Sequence, residues 1–231
     1  MLCAVFTLML VNISTTVQAD SSNFAGPYVG ITASGYGLQM DGSASTSPTN
    51  GTPEIDEVSL GQVAPVTGFE VGYAVPIGSA FLIDIGAAYY QGAAKIDFTN
   101  DVAGAVSSNS GESASNSLET VSFTLDDLRT FTIAPTLVLS DTSSLYIKVG
   151  LTEADIGVVG DITTPANLSG TTWALGTRTV LESGIFVRTE AGYTTYNGIH
   201  AHGKGTNVDT DNHYSAEPTI AFGAVSLGFR F

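Results

Sequence analysis

All three histidines of this 231-residue chain, His200, His202 and His213, fall in one polar stretch near its end. Imidazole is a good ligand for zinc and copper. A strand running through 200–202 would put His200 and His202 on one face, with Asp209 or Asp211 in reach as further ligands. Solvated histidines in a polar loop are the more ordinary arrangement, so no metal or cofactor is assigned on this spacing. Ser215 stands close to His213, but a serine nucleophile needs a base and an orienting group in fixed geometry, and no motif supplies them. Gly203-Lys204-Gly205-Thr206 lacks the preceding spaced glycine and the following helix of a phosphate loop. No catalytic residue is assigned, and the chain is expected not to be an enzyme.

A second set of groups is charged: Glu70, Asp84, Lys148, Arg178, Glu182, Arg188, Glu190 and Arg230. Each sits among small residues within an alternating segment. Lys148 precedes Val149-Gly150, and Glu190 is followed by Ala191-Gly192. Strand side chains repeat every two residues, so these charges share a face with glycine and alanine while bulky apolar groups take the other. In 145–152, for example, Leu145, Ile147, Val149 and Leu151 oppose Tyr146, Lys148, Gly150 and Thr152. A soluble sandwich or barrel would show the reverse, with bulky groups inside and a broadly polar outside. Small residues with isolated charges suit the crowded interior of a small barrel whose bulky face meets lipid. An unpaired buried charge costs on the order of several kcal/mol, so the eight are expected to form a paired interior network.

Eight segments carry this alternation: 27–40, 62–76, 80–98, 121–139, 144–158, 170–182, 185–199 and 217–231. Short turns (77–79, 140–143, 183–184) alternate with long polar loops (41–61, 99–120, 159–169, 200–216). In an up-and-down meander this puts every short turn at one end and every long loop at the other. The fold expected is an all-β, eight-stranded antiparallel up-and-down transmembrane β-barrel.

Composition narrows the function. With 7 basic and 22 acidic residues the formal charge is −15, the wrong sign for a nucleic-acid partner or for bulk attraction to anionic lipid. Residues 1–19 read as a secretory signal, with an apolar run from Leu2 to Val11 and Val17-Gln18-Ala19 as the cleavage site. The only cysteine, Cys3, lies within that segment. Residues 20–231 then form the barrel domain. The ending alternates to its last residue, with Val225, Leu227, Phe229 and Phe231 on one face.

Gly26-Pro27-Tyr28-Val29-Gly30-Ile31 and the closing Leu227-Gly228-Phe229-Arg230-Phe231 resemble the two ends of the small outer-membrane β-barrel superfamily that includes OmpA, OmpX and the opacity-type adhesins. By motif the resemblance covers only the two ends. By pattern it covers the whole chain after residue 19. It implies residence in the outer membrane of a Gram-negative bacterium, among lipid and lipopolysaccharide. It also implies insertion by the barrel assembly machinery, with Val225, Leu227, Phe229 and Phe231 as the signal read. An interior ion-pair cluster is a family property too. The peptidoglycan-binding domain of OmpA itself has no counterpart here. The function expected is that of a monomeric barrel anchoring four acidic outer loops for surface structure or adhesion toward an extracellular ligand the sequence does not name. The alternatives are a small-conductance porin-like channel and, further off, a lipid A-modifying barrel enzyme.

Overall fold

The computed structural model describes residues 20–48, 54–91, 94–98, 121–159, 167–202 and 210–231. Residues 1–19, expected as a secretory signal, and residues 99–120, expected as a long loop, lie outside them. A 3-10 turn (Ser21–Phe24) precedes ten strands: β1 (Gly26–Pro48), β2 (Glu54–Pro76), β3 (Phe81–Gln91), β4 (Ala94–Phe98), β5 (Val121–Val138), β6 (Ser143–Val159), β7 (Leu168–Val180), β8 (Ile185–Tyr196), β9 (Ile199–His202) and β10 (Thr210–Arg230). β3 and β4 both pair with β5, and β8 and β9 both pair with β10, so each couple is one interrupted stave. The staves number eight, all antiparallel to their neighbours. β1 closes on β10 from Tyr28↔Arg230 to Pro48↔Thr210. Closure leaves no free edge among the long strands, which is what a sheet in hydrocarbon requires.

The strands run further than their apolar pattern. β1 and β2 carry the ladder through most of 41–61, and β9 and β10 take up 199–202 and 210–216. The long loops expected at 41–61 and 200–216 are therefore largely strand. The serine, threonine and aspartate of these stretches read as loop, but backbone ladder bonds need no apolar side chain once the neighbouring strand is in place. The three short turns lie together at the opposite end, where expected.

Facing changes chemistry along the barrel axis. Over the lower part of the wall, Val29, Ile31, Phe69, Val71, Tyr73, Phe131, Ile133, Trp173, Leu175, Val225, Leu227 and Phe229 all point outward and are exposed. This is the lipid belt, about 25 Å tall in such barrels. Above it the outward positions turn polar, with Gln39, Asp41, Arg129, Glu153 and Glu217. There the bulky apolar groups turn inward: Leu38, Met40, Leu125, Leu128, Leu168, Ile199 and Ile220 are buried. Lipid rewards apolar groups outside and water rewards them inside, so one closed sheet obeys both rules at different heights.

Two breaks in register assist the change. A bulge between Asp126 and Arg129 opposes two residues to one, with Asp127 at φ 51°. It brings both Leu125 and Leu128 to the inside. The Tyr89 hydroxyl donates to the Asp127 carboxylate and ties the bulge to β3. Asn197 and Gly198 interrupt the eighth-strand stave in the same way, so that Tyr196 and Ile199 are both buried and His200 is exposed.

Inner glycines make room for rings. The Tyr146 ring lies against Gly176, where a β-carbon would collide with it, and the Phe186 ring lies against Gly228 in the same way. Gly35 and Gly223, a cross-strand pair on the outer face, have nothing within 4 Å of a built β-carbon. Alanine at Gly176 or Gly228 should cost about 1–3 kcal/mol through overpacking, while alanine at Gly35 or Gly223 should not destabilise. Urea midpoints from heat-modifiable gel migration would check this. Equal midpoints for all four variants would refute it.

Candidate functional site

The lumen is stacked in layers. At the turn end the 3-10 turn Ser21–Phe24 folds under the barrel, held by Ser21 N–H to Ser79 O at 2.9 Å and Ser21 Oγ to Gly78 O at 2.6 Å. Its Phe24, 1% exposed, packs with Tyr28, Ala74, Leu82, Val138, Val180 and Phe186 as an apolar floor. The outermost layer is the inward-facing apolar set described above, with Tyr36, Tyr90 and Tyr196 added.

Between them lies a charged layer. Arg188, 3% exposed, is at its centre. Its Nη1 donates to Glu70 Oε2 at 2.8 Å, and its Nη2 stands 3.5 Å from Asp84 Oδ2. Arg178 donates to the same Asp84 oxygen, and the Tyr28 hydroxyl donates to Asp84 Oδ1 at 2.5 Å. Lys148 donates to Glu190 Oε2, which also accepts from the Tyr146 hydroxyl at 2.8 Å. The guanidinium carbons of Arg178 and Arg188 each lie 5.0 Å from the Tyr28 ring centre, and 5.3 and 5.5 Å from that of Phe186. Cation–π attraction thus supplements the ion pairs where water is scarce. Arg188 on β8 meets Glu70 on β2, and Arg178 on β7 meets Asp84 on β3; these strands are not wall neighbours, so the pairs cross the lumen. Three acids (Glu70, Asp84, Glu190) face three bases (Lys148, Arg178, Arg188), and their formal charges cancel.

Above this layer threonine hydroxyls run round part of the wall: Thr130 to Thr152 at 2.9 Å, Thr152 to Thr172 at 2.6 Å, and Thr172 to Thr194 at 2.7 Å. A cavity of about 20 Å3 lies between the charges and these hydroxyls, lined by Glu70, Lys148, Arg188 and Glu190 among others. That is room for about one water, which the otherwise unpartnered Glu70 Oε1 could receive. The space among Leu38, Met40, Leu125, Ile156, Leu168 and Ile199 is smaller, at about 10 Å3.

Two members of the expected network lie elsewhere. The Arg230 Nη1 donates to Ser22 O at 2.9 Å and Ala25 O at 3.1 Å, so it ties the last strand to the 3-10 turn rather than joining the carboxylates. Ser22 O also accepts from the Ala25 N–H, so Arg230 adds a second donor there and a donor to Ala25 O just past the turn. Glu182 follows the end of β7 and begins a second 3-10 turn (Glu182–Gly184), so it has no place on a strand face; its side chain is outside those described. Tyr28 and the threonine row were not singled out from the sequence, although they share the inner parity with the charges. At the C-terminus Val225, Leu227, Phe229 and Phe231 all face outward, with the Phe229 and Phe231 rings edge to face at 5.2 Å.

Among the described residues no three His, Cys, Asp or Glu side chains lie close enough to hold a metal ion. His200 is exposed; Asp209 and the 203–206 segment lie outside the described residues, as do the side chains of His202 and His213.

A family model described as outer membrane protein beta-barrel domain matches residues 4–216. No curated protein matches the sequence. Among solved structures the chain is similar in fold to the outer membrane protein OprG from Pseudomonas aeruginosa, at 10% identity and TM-score 0.54, over 93% of this chain and 100% of that one. It also aligns with Ail, the attachment invasion locus protein of Yersinia pestis, at 10% identity and TM-score 0.36, over 84% of this chain and 98% of that one. Neisserial surface protein A aligns at 12% identity and TM-score 0.35, over 85% of this chain and 97% of that one.

Proposed function

The chain belongs to the outer membrane protein beta-barrel domain family, and on that premise we propose that it is a plugged barrel holding a projecting wall and acidic loops at the cell surface for structural or adhesive contact. The observation that carries this reading is the charged layer. Six mutually paired charges span the lumen with about 20 Å3 of free space beside them, so an ion would have to break buried pairs to pass. Apolar layers above and below add a second barrier. What remains for function is the outer surface, where β1, β2 and β10 rise above the lipid belt and carry the loops. Lipopolysaccharide would contact the outward face, and an extracellular ligand the loops. The chain would reach the membrane after loss of residues 1–19, with Val225, Leu227, Phe229 and Phe231 read by the assembly machinery.

A second reading, a small-conductance channel, draws on the hydratable cavity within the charged layer. Three measurements separate these and a lipid A-modifying enzyme: planar-bilayer current, the mass of lipid A, and adhesion of cells with and without the protein. The expected outcome is no steady porin-sized current, unchanged lipid A, and altered adhesion. A steady porin-sized current from the purified protein would overturn the plugged reading.

A further inference from the structure

We propose that Asn197-Gly198 is a self-modifying site, where the Asn197 side-chain amide is lost as ammonia through a cyclic imide and His200 is the base that assists. The dipeptide lies at the break in the eighth-strand stave, between β8 and β9. β10 pairs with β8 as far as Thr195 and with β9 from Ile199, so neither Asn197 nor Gly198 has a ladder partner on it. Both are exposed. They lie above the lipid belt, beyond the outward Tyr193 of β8, so water is at hand.

The reaction needs a held asparagine, an unobstructed backbone nitrogen after it, and a base. Asn197 is held by Ser169: its N–H donates to Ser169 O at 2.9 Å and its Nδ2 to Ser169 Oγ at 2.8 Å. Gly198 has no β-carbon, so its nitrogen can close on the Asn197 side-chain carbon with least obstruction. The exposed His200 stands beside it, with Nε2 3.8 Å from the position a β-carbon on Gly198 would take. An imidazole so placed can take the proton of the attacking nitrogen. That nitrogen then bonds to Asn197 Cγ, the Cγ–Nδ2 bond breaks, and the proton returned by the imidazole leaves with ammonia. Water opens the ring at either carbonyl. One opening gives aspartate. The other gives isoaspartate, whose main chain runs through the former side chain and gains a methylene. Either product adds a negative charge to the outer wall, and isoaspartate also lengthens the chain where strand parity reverses. No reactant besides water is consumed.

The test uses the full chain folded in detergent micelles, incubated at neutral pH and followed by peptide mass spectrometry. Peptide mapping separates Asn197 from Asn50-Gly51, the other Asn-Gly of the chain. The peptide holding Asn197 should gain the mass difference between a hydroxyl and an amino group, and part of the product should be isoaspartate. Gly198→Ala should slow the conversion about tenfold or more, because a β-carbon obstructs ring closure. His200→Gln should slow it about tenfold or more through loss of the base. Heat-modifiable migration checks that each variant is folded. If one is not, the unaltered chain decides: it should react faster folded than unfolded in urea, because only the fold holds His200 beside Gly198. An intact Asn197 in the folded chain, an unchanged rate in folded His200→Gln, or a faster reaction in urea would overturn the proposal.

Discussion

Replacing Arg188 by methionine should lower the unfolding free energy of the barrel by about 3–5 kcal/mol, the range for breaking one side of a buried pair. The loss is not the attraction itself, which desolvation largely offsets. It is the charge left behind. Glu70 Oε2 would lose its donor, and Glu70 Oε1 has none in the protein to begin with. Asp84 would keep Arg178 and the Tyr28 hydroxyl, so Glu70 is the group stranded. Removing that charge as well should restore much of the stability, and Arg188→Met with Glu70→Gln should unfold at a higher urea concentration than Arg188→Met alone. The unfolding can be followed by the fluorescence of Trp173, the single tryptophan, which faces outward in the lipid belt. An Arg188→Met midpoint equal to that of the unaltered chain would mean the layer is hydrated enough to tolerate a lone carboxylate.

The membership of this layer was legible in the sequence, and its pairing was not. Parity alone placed Glu70, Asp84, Lys148, Arg178, Arg188 and Glu190 on one side of the wall, because a strand allows only two choices. Which acid meets which base depends on the shear of the closed barrel, which sets the strands that face each other across the lumen. By parity Arg188 could have met any of the four expected carboxylates, and among the described residues Arg230 pairs with backbone carbonyls rather than with an acid. The outer half was misread for a different reason. The ladder of β1, β2 and β10 runs on into 41–48, 54–61 and 210–216, past the height at which Gln39 and Asp41 face outward and Leu38 and Met40 turn inward. A search for a bulky lipid-facing stripe stops where that stripe stops, although the ladder continues. The bulge at Asp126 and the break at Asn197 hid the rest, since each reverses the parity of the residues beyond it.

The reversal predicts where a charge will be tolerated. An arginine at Leu175, outward in the middle of the belt, should cost about 2–4 kcal/mol, because hydrocarbon cannot solvate it. The same substitution at Gln39 should cost about 0–1 kcal/mol. That side chain already bonds the Asp41 carboxylate at 3.1 Å, so an arginine there would find both water and an acid. The neighbour decides the matter. Leu38 is one residue away from Gln39 but points into the apolar layer above the charged plug, where it is 4% exposed. An arginine at Leu38 would be desolvated with no acid among the described residues that pack there, at a cost of about 3–5 kcal/mol. Urea midpoints of the three variants should therefore fall in two groups, with Gln39→Arg near the unaltered chain and Leu175→Arg and Leu38→Arg well below it. If the lipid belt ran to the top of β1, Gln39→Arg would be as harmful as Leu175→Arg. If the upper lumen were an open aqueous channel, Leu38→Arg would be as harmless as Gln39→Arg. Each alternative moves a different variant, so the comparison locates both the outer edge of the hydrocarbon and the height at which the barrel begins to pack like a soluble protein.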